Sequence, residues 1–170
     1  MNDILFNIVV TGSINLVFTL AALTFVDRLG RRSLMLAGCG GVALFHFLLG
    51  LSYHFGLKGL PVLFCTLATI ACFAMTLGPV TWVLISEIFP NRIRGAAVSV
   101  SVSALWIACF ALTFTFPSLN AALGPAGTFW LYSCICVIGF LFVWRRVPET
   151  KGKTLEQIER GYARAGVVTQ

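Results

Sequence analysis

The chain has 170 residues, 58% of them hydrophobic and only 11% charged, with a mean hydropathy of +0.93 and a formal net charge of +6. A soluble domain carries roughly 25% charged residues, so a water-borne globule is excluded and an integral membrane protein is expected. The positive charge is accounted for by loop placement, described below. No basic surface interleaved with aromatics lies outside the apolar runs, so nucleic acid is not an expected partner.

The chain opens with Met1-Asn2-Asp3, which lacks the basic start of a signal peptide. Five apolar runs follow, each close to the ~20 residues that a spanning helix needs. They cover residues 5–26, 34–53, 60–85, 96–116 and 126–144. The runs are continuous rather than alternating in short segments, which points to an all-α membrane protein and away from a barrel.

The first run carries Asn15 near its middle. A polar amide in hydrocarbon needs a partner, either on a neighbouring helix or on a polar solute in a central cavity. The run ends in the charged loop Asp27-Arg28-Leu29-Gly30-Arg31-Arg32. The second run contains His46. With no acid in that run, a neutral packed or hydrogen-bonded histidine is expected rather than a proton relay.

The third run is interrupted from within by Gly78-Pro79. Proline removes a backbone donor and frees a carbonyl one turn back, and transporters use broken helices near their binding sites. Trp82 follows one turn later and is expected to line a pocket there. Residues 86–95 (SEIFPNRIRG) then concentrate three of the chain's 18 charged side chains, Glu87, Arg92 and Arg94.

The fourth run holds Trp106, away from either end, and the small residues Ser99, Ser101 and Ser103, which suit close helix contact. The fifth leads to a polar tail over residues 147–170. There Thr154-Leu155-Glu156-Gln157 reads as a capping box, predicting a short helix.

Eleven of the twelve Lys and Arg residues fall in segments 27–33, 86–95 and 145–170, and only Lys58 falls on the other side. By the positive-inside rule the N-terminus is expected outside and the C-terminus in the cytoplasm, in a multi-pass cell (plasma or inner) membrane protein. The acids are informative too. Asp27 and Glu87 sit at helix C-termini, where the dipole disfavours negative charge. Each is followed by arginines whose planar fork suits carboxylates, so a charge network joining helix ends is expected.

The six cysteines all lie in apolar runs without metal-ligand spacing and read as small buried hydrophobes. No serine has a histidine and an acid to work with. No enzyme, metal or cofactor is expected.

Three motifs now carry a resemblance: DRLGRR from Asp27 to Arg32, GPVTWVLISEIFPNRIRG from Gly78 to Gly95, and VPETKGKTLEQIE from Val147 to Glu159. In this order they resemble the C-terminal half of sugar porters of the major facilitator superfamily, with a likeness to xylose–proton symporters and glucose facilitators. Members have twelve helices, and this chain is similar to helices eight to twelve. On that likeness the family's seventh helix and its N-terminal half, with the acid used by proton-coupled members, lie outside the chain.

The resemblance implies that Asn15, Phe73, Gly78, Trp82 and Trp106 line a sugar site. It implies that Asp27, Arg31, Glu87, Arg94 and Glu149 form a cytoplasmic charge network. One departure stands out: the position before the fourth-run tryptophan commonly offers an amide in sugar porters and is Leu105 here. The expected function is the C-terminal portion of a monosaccharide transporter working by alternating access, with a proton as candidate co-substrate. Its expected partners are the sugar, membrane lipid and the transporter's N-terminal helices. The alternative is a half-molecule with an interaction or regulatory role and no transport of its own.

Overall fold

The computed structural model describes residues 2–89 and 93–147, and every regular element among them is helical. The order is α1 (Asn2–Leu29), α2 (Arg31–His54), α3 (Leu60–Met75), α4 (Leu77–Glu87) and α5 (Arg94–Arg146). Four helical stretches are long and apolar enough to cross a membrane: Leu5–Val26, Arg31–His54, Leu60–Glu87 and Arg94–Arg146. The predicted tail helix, its capping box and Glu149 lie outside the described residues, as does Arg92.

The expected runs map onto these helices with two differences. The third run is α3 followed by α4, and the break falls at Thr76 (φ −126°, ψ −82°) rather than at Gly78-Pro79. The cause is still Pro79. Its missing N–H and its ring both act on the carbonyl four residues back, at Met75, so the helix yields one turn before the proline. Pro79 itself then sits in the first turn of α4, where a missing donor matters least.

The second difference is in α5. The pattern predicts a loop between residues 116 and 126, yet helix continues through Pro117 and only Gly124 (φ 69°, ψ 171°) departs from it. A straight helix of 53 residues would run about 80 Å, far beyond a ~30 Å hydrocarbon core. This one doubles back instead. Phe116 and Tyr132 stack with ring centroids 6.3 Å apart, and the Tyr132 hydroxyl reaches Leu112 O at 3.5 Å. In a continuous helix, sixteen residues of separation would place those rings roughly 24 Å apart. Gly124 supplies the positive φ that an L side chain resists, and Pro125 starts the second arm.

The helices run alternately between two ends. One end gathers Arg31, Arg32, Glu87, Arg94, Arg145 and Arg146, and the other carries Lys58 and Gly124. At the arginine end Val26, Leu34 and Val80 form a buried cluster, with Met35 and Val83 packed on it. The second arm of α5 lies along α2, tied by Ser133 Oγ donating to Ala43 O at 2.8 Å. Ring contacts of Tyr53 with Phe129 and of Phe47 with Trp130 continue the same seam. Side chains such as Phe6, Val9, Leu16, Ile107, Phe110 and Phe114 stay exposed. At about 25 cal/mol per Å², that surface belongs in lipid or against further helices.

Candidate functional site

Four of the helices converge on one cavity of about 470 Å³, within the ~300–1,000 Å³ usual for small-molecule sites. α1 contributes Asn15, the last turn of α3 contributes Phe73, α4 contributes Gly78 and Trp82, and the first arm of α5 contributes Trp106. All five residues expected at a sugar site therefore meet in one place, although Asn15 and Trp106 are 91 positions apart. Leu105 lines the cavity as well.

The helix break builds the floor. Thr76, between α3 and α4, is buried and donates its hydroxyl to Cys72 O at 2.5 Å. Its amide reaches Phe73 O at 3.3 Å, and Val80 N reaches Thr76 O at 3.2 Å, so the kink is hydrogen-bonded on both sides. Thr81 Oγ1 donates to Leu77 O at 2.6 Å. α2 approaches the break at Gly38. A Cβ there would overlap Thr76 Oγ1 and come within 2.9 Å of Leu77 Cγ. The bare backbone of Gly38 thus lets the kink seat against α2 and aims Gly78 and Trp82 into the cavity.

The walls suit a neutral solute with both apolar and hydroxyl faces. Phe73, Trp82 and Trp106 are each about half exposed, presenting ring faces and two indole donors. No hydrogen bond is made to the Asn15 amide by any described residue, so its donors and acceptor remain for a ligand. The cavity has no acidic or basic side chain in its lining. Thr19 and Cys109 also line it. Sequence reasoning misses both, although Thr19 lies one turn beyond Asn15 on the same face.

At the arginine end, Arg31 Nη2 pairs with Glu87 Oε1 at 3.1 Å, both side chains largely shielded from solvent (15% and 29% exposed). This joins the start of α2 to the end of α4. Arg94 is half-buried at the first residue of α5, and its Nε has no partner among the described residues. Of the other expected members, Glu149 and the Asp27 side chain lie outside what is described. One contact escapes sequence reasoning: Arg32 Nη2 donates to Trp144 O at 2.5 Å, capping the C-terminal turn of α5 from another helix. A cation near a helix C-terminus is favourable, but sequence does not say which helix it serves.

His46 lines a second cavity of about 400 Å³ with Thr113 and Tyr132. Its Nδ1 lies 2.8 Å from Val42 O, so the ring donates within its own helix.

Comparison with known proteins identifies the family. A family model described as "Sugar (and other) transporter" matches residues 1–162. The chain belongs to that family. It is 43% identical over 157 residues to the D-xylose-proton symporter of Escherichia coli K12, covering 89% of this chain and 32% of that protein. It is 38% identical over 152 residues to the arabinose-proton symporter of Bacillus subtilis, covering 89% of this chain and 33% of the relative. The chain thus spans about a third of the length of these curated relatives.

Among solved structures, a proton:xylose symporter of the major facilitator superfamily bound to 6-bromo-6-deoxy-D-glucose superposes with a TM-score of 0.88 at 42% identity, over 95% of this chain and 36% of that one. An inward-open xylose transporter from E. coli gives 0.85 at 43% identity, over 91% of this chain and 35% of that one. The fold is that of an all-helical, multi-pass membrane transporter, and these relatives are transporters rather than enzymes.

Proposed function

We propose that this chain forms the sugar-binding C-terminal bundle of a monosaccharide transporter that works by alternating access. In this reading the chain crosses the membrane five times, α5 supplying the last two crossings on either side of Gly124. The arginine end faces the cytoplasm, in keeping with the 11-to-1 split of basic residues. Asn15 hydrogen-bonds sugar hydroxyls, while Phe73, Trp82 and Trp106 take the C–H faces and Gly78 admits the ring close to the backbone. The Arg31–Glu87 pair belongs to a cytoplasmic latch with Asp27, Arg94 and Glu149 that closes in the outward-open state and releases when the bundle rocks.

The relatives transport xylose or arabinose with protons. With no acid in the lining of this cavity, the reading places any proton-carrying acid on helices outside the chain.

The observation that carries the proposal is the convergence of the five residues on one cavity at a helix break. The test is a chimera in which residues 1–162 replace the matching segment of the E. coli D-xylose-proton symporter. The chimera is expected to bind and take up D-xylose. Trp82→Ala, losing a stacking face worth about 1 kcal/mol, should weaken binding roughly fivefold. Undiminished binding in that variant would remove Trp82 from the site.

A further inference from the structure

A third cavity, of about 560 Å³, lies between α1 and α3 at the Lys58 end. Its polar members are Asn7 and Thr11 on α1, Tyr53 on α2, Lys58 in the following turn and Thr66 on α3. Two facts connect it to the central cavity. On α1, Asn7, Thr11, Asn15 and Thr19 recur every fourth residue, so they form one slowly turning polar stripe. The first two line the outer cavity and the last two line the central one. On α3, Thr66 lines the outer cavity and Phe73 the central one, and seven residues is two helical turns. The cavities therefore sit one above the other on a single α1–α3 seam, with Asn7 about 12 Å along the axis from Asn15.

A polar stripe on a transmembrane helix is costly unless something uses it. Among the described residues nothing hydrogen-bonds the Asn7 amide or the Thr11 hydroxyl. The Thr66 hydroxyl donates to Val62 O at 2.8 Å, which leaves its oxygen able to accept. An amide, three hydroxyls and an ammonium group offer donors and acceptors without a negative charge. That set suits a neutral polyhydroxylated solute.

We propose that this cavity is an outer station for the transported sugar, a weak binding site occupied before the solute descends the α1 stripe to the central cavity. The inference rests on reading the central cavity as a sugar site and the Lys58 end as external. The solute held is the same in both places. The difference is that the outer station holds it by hydrogen bonds from α1 and α3 without the tryptophans.

The test uses the intact chimera in sealed, right-side-out proteoliposomes, with Leu63→Cys as a reporter on the cavity wall and a membrane-impermeant maleimide outside. D-Xylose is expected to slow labelling of that cysteine in a saturable way. Protection should persist when Asn15→Leu and Trp82→Ala together remove the central site. Asn7→Leu should raise the half-protecting concentration about fivefold, as for one lost hydrogen bond. Thr66→Val, on the opposite helix, should shift it the same way, which separates loss of a contact from misfolding of α1.

Absence of protection, or protection that disappears with the central site, overturns the station. So does shielding that ignores D-xylose and is lifted by removing phospholipid, since the occupant is then a headgroup. A parent chimera that neither binds nor carries D-xylose defeats the central reading first. One that does both, with position 63 unprotected, defeats only the outer station.

Discussion

Replacing Gly38 by alanine puts a methyl group where α2 touches the break between α3 and α4. The added carbon overlaps Thr76 Oγ1 and lies 2.9 Å from both Thr76 Cβ and Leu77 Cγ, against the ~3.5–4.0 Å at which carbon atoms rest. Thr76 is 3% exposed and hydrogen-bonded through both its hydroxyl and its amide, so it cannot simply turn away. The kink must shift by several tenths of an ångström. Overpacking of this kind costs about 1–3 kcal/mol.

Because Gly78 and Trp82 ride on α4 directly after the kink, the displacement reaches the cavity. Gly38→Ala in the chimera should therefore lower the thermal midpoint in detergent and also weaken D-xylose binding. Thr76→Ala alone loses one hydrogen bond, about 1 kcal/mol, but removes the atom that the new methyl strikes. The double variant should cost less than the sum of the singles, a coupling expected between contacting residues. Full additivity, or a Gly38→Ala protein with unchanged stability and binding, would refute the account of how the kink is seated.

Leu105→Gln restores an amide beside Trp106 and should tighten D-xylose binding about fivefold by equilibrium titration; no gain would mean that this position does not reach the sugar. Glu87→Gln takes the negative charge from one partner of Arg31, away from the cavity, so it should reduce the transport rate more than the affinity. The exchanged pair Arg31→Glu with Glu87→Arg should recover part of the flux, and normal flux in Glu87→Gln would count against the latch. Gly124→Ala forces a side chain into an extended positive-φ conformation that is essentially confined to glycine, at a cost of about 1–3 kcal/mol; thermal unfolding should show the loss, and a neutral result would place the reversal of α5 elsewhere.

The helical membrane character of the protein is legible in its amino-acid sequence. Long apolar runs and one-sided arginines leave few alternatives, because a spanning backbone must satisfy its own polar groups and basic loops favour one side. The members of the central cavity are legible through motif resemblance, not through periodicity, since nothing in spacing alone brings Asn15 to Trp106.

Two features stay hidden for physical reasons. The fourth apolar run stops at residue 116, yet with lipid or protein around it a helix tolerates Pro117 and runs on until a positive φ is available at Gly124. Gly78-Pro79 marks the right break but the wrong residue, because proline damages the helix one turn upstream of itself. Thr19 and Cys109 escape notice for a simpler reason: each is unremarkable alone and matters only through a neighbour on the same helix face.

Arg31 and Arg32 are neighbours in sequence and yet hold different helices by different chemistry. Arg31 grips a carboxylate on α4, which another charge or a rearrangement can take from it. Arg32 grips a backbone carbonyl of α5, which no side-chain substitution or protonation at that site abolishes. The start of α2 thus holds two helices at once, the second arm of α5 through a backbone carbonyl and α4 through a side-chain carboxylate. In a rocking transporter that arrangement would make α2 and the second arm of α5 a permanent frame, with the broken α3–α4 helix as the part that moves against it. The Arg31–Glu87 pair is largely shielded from solvent, so raised ionic strength should weaken it only slightly.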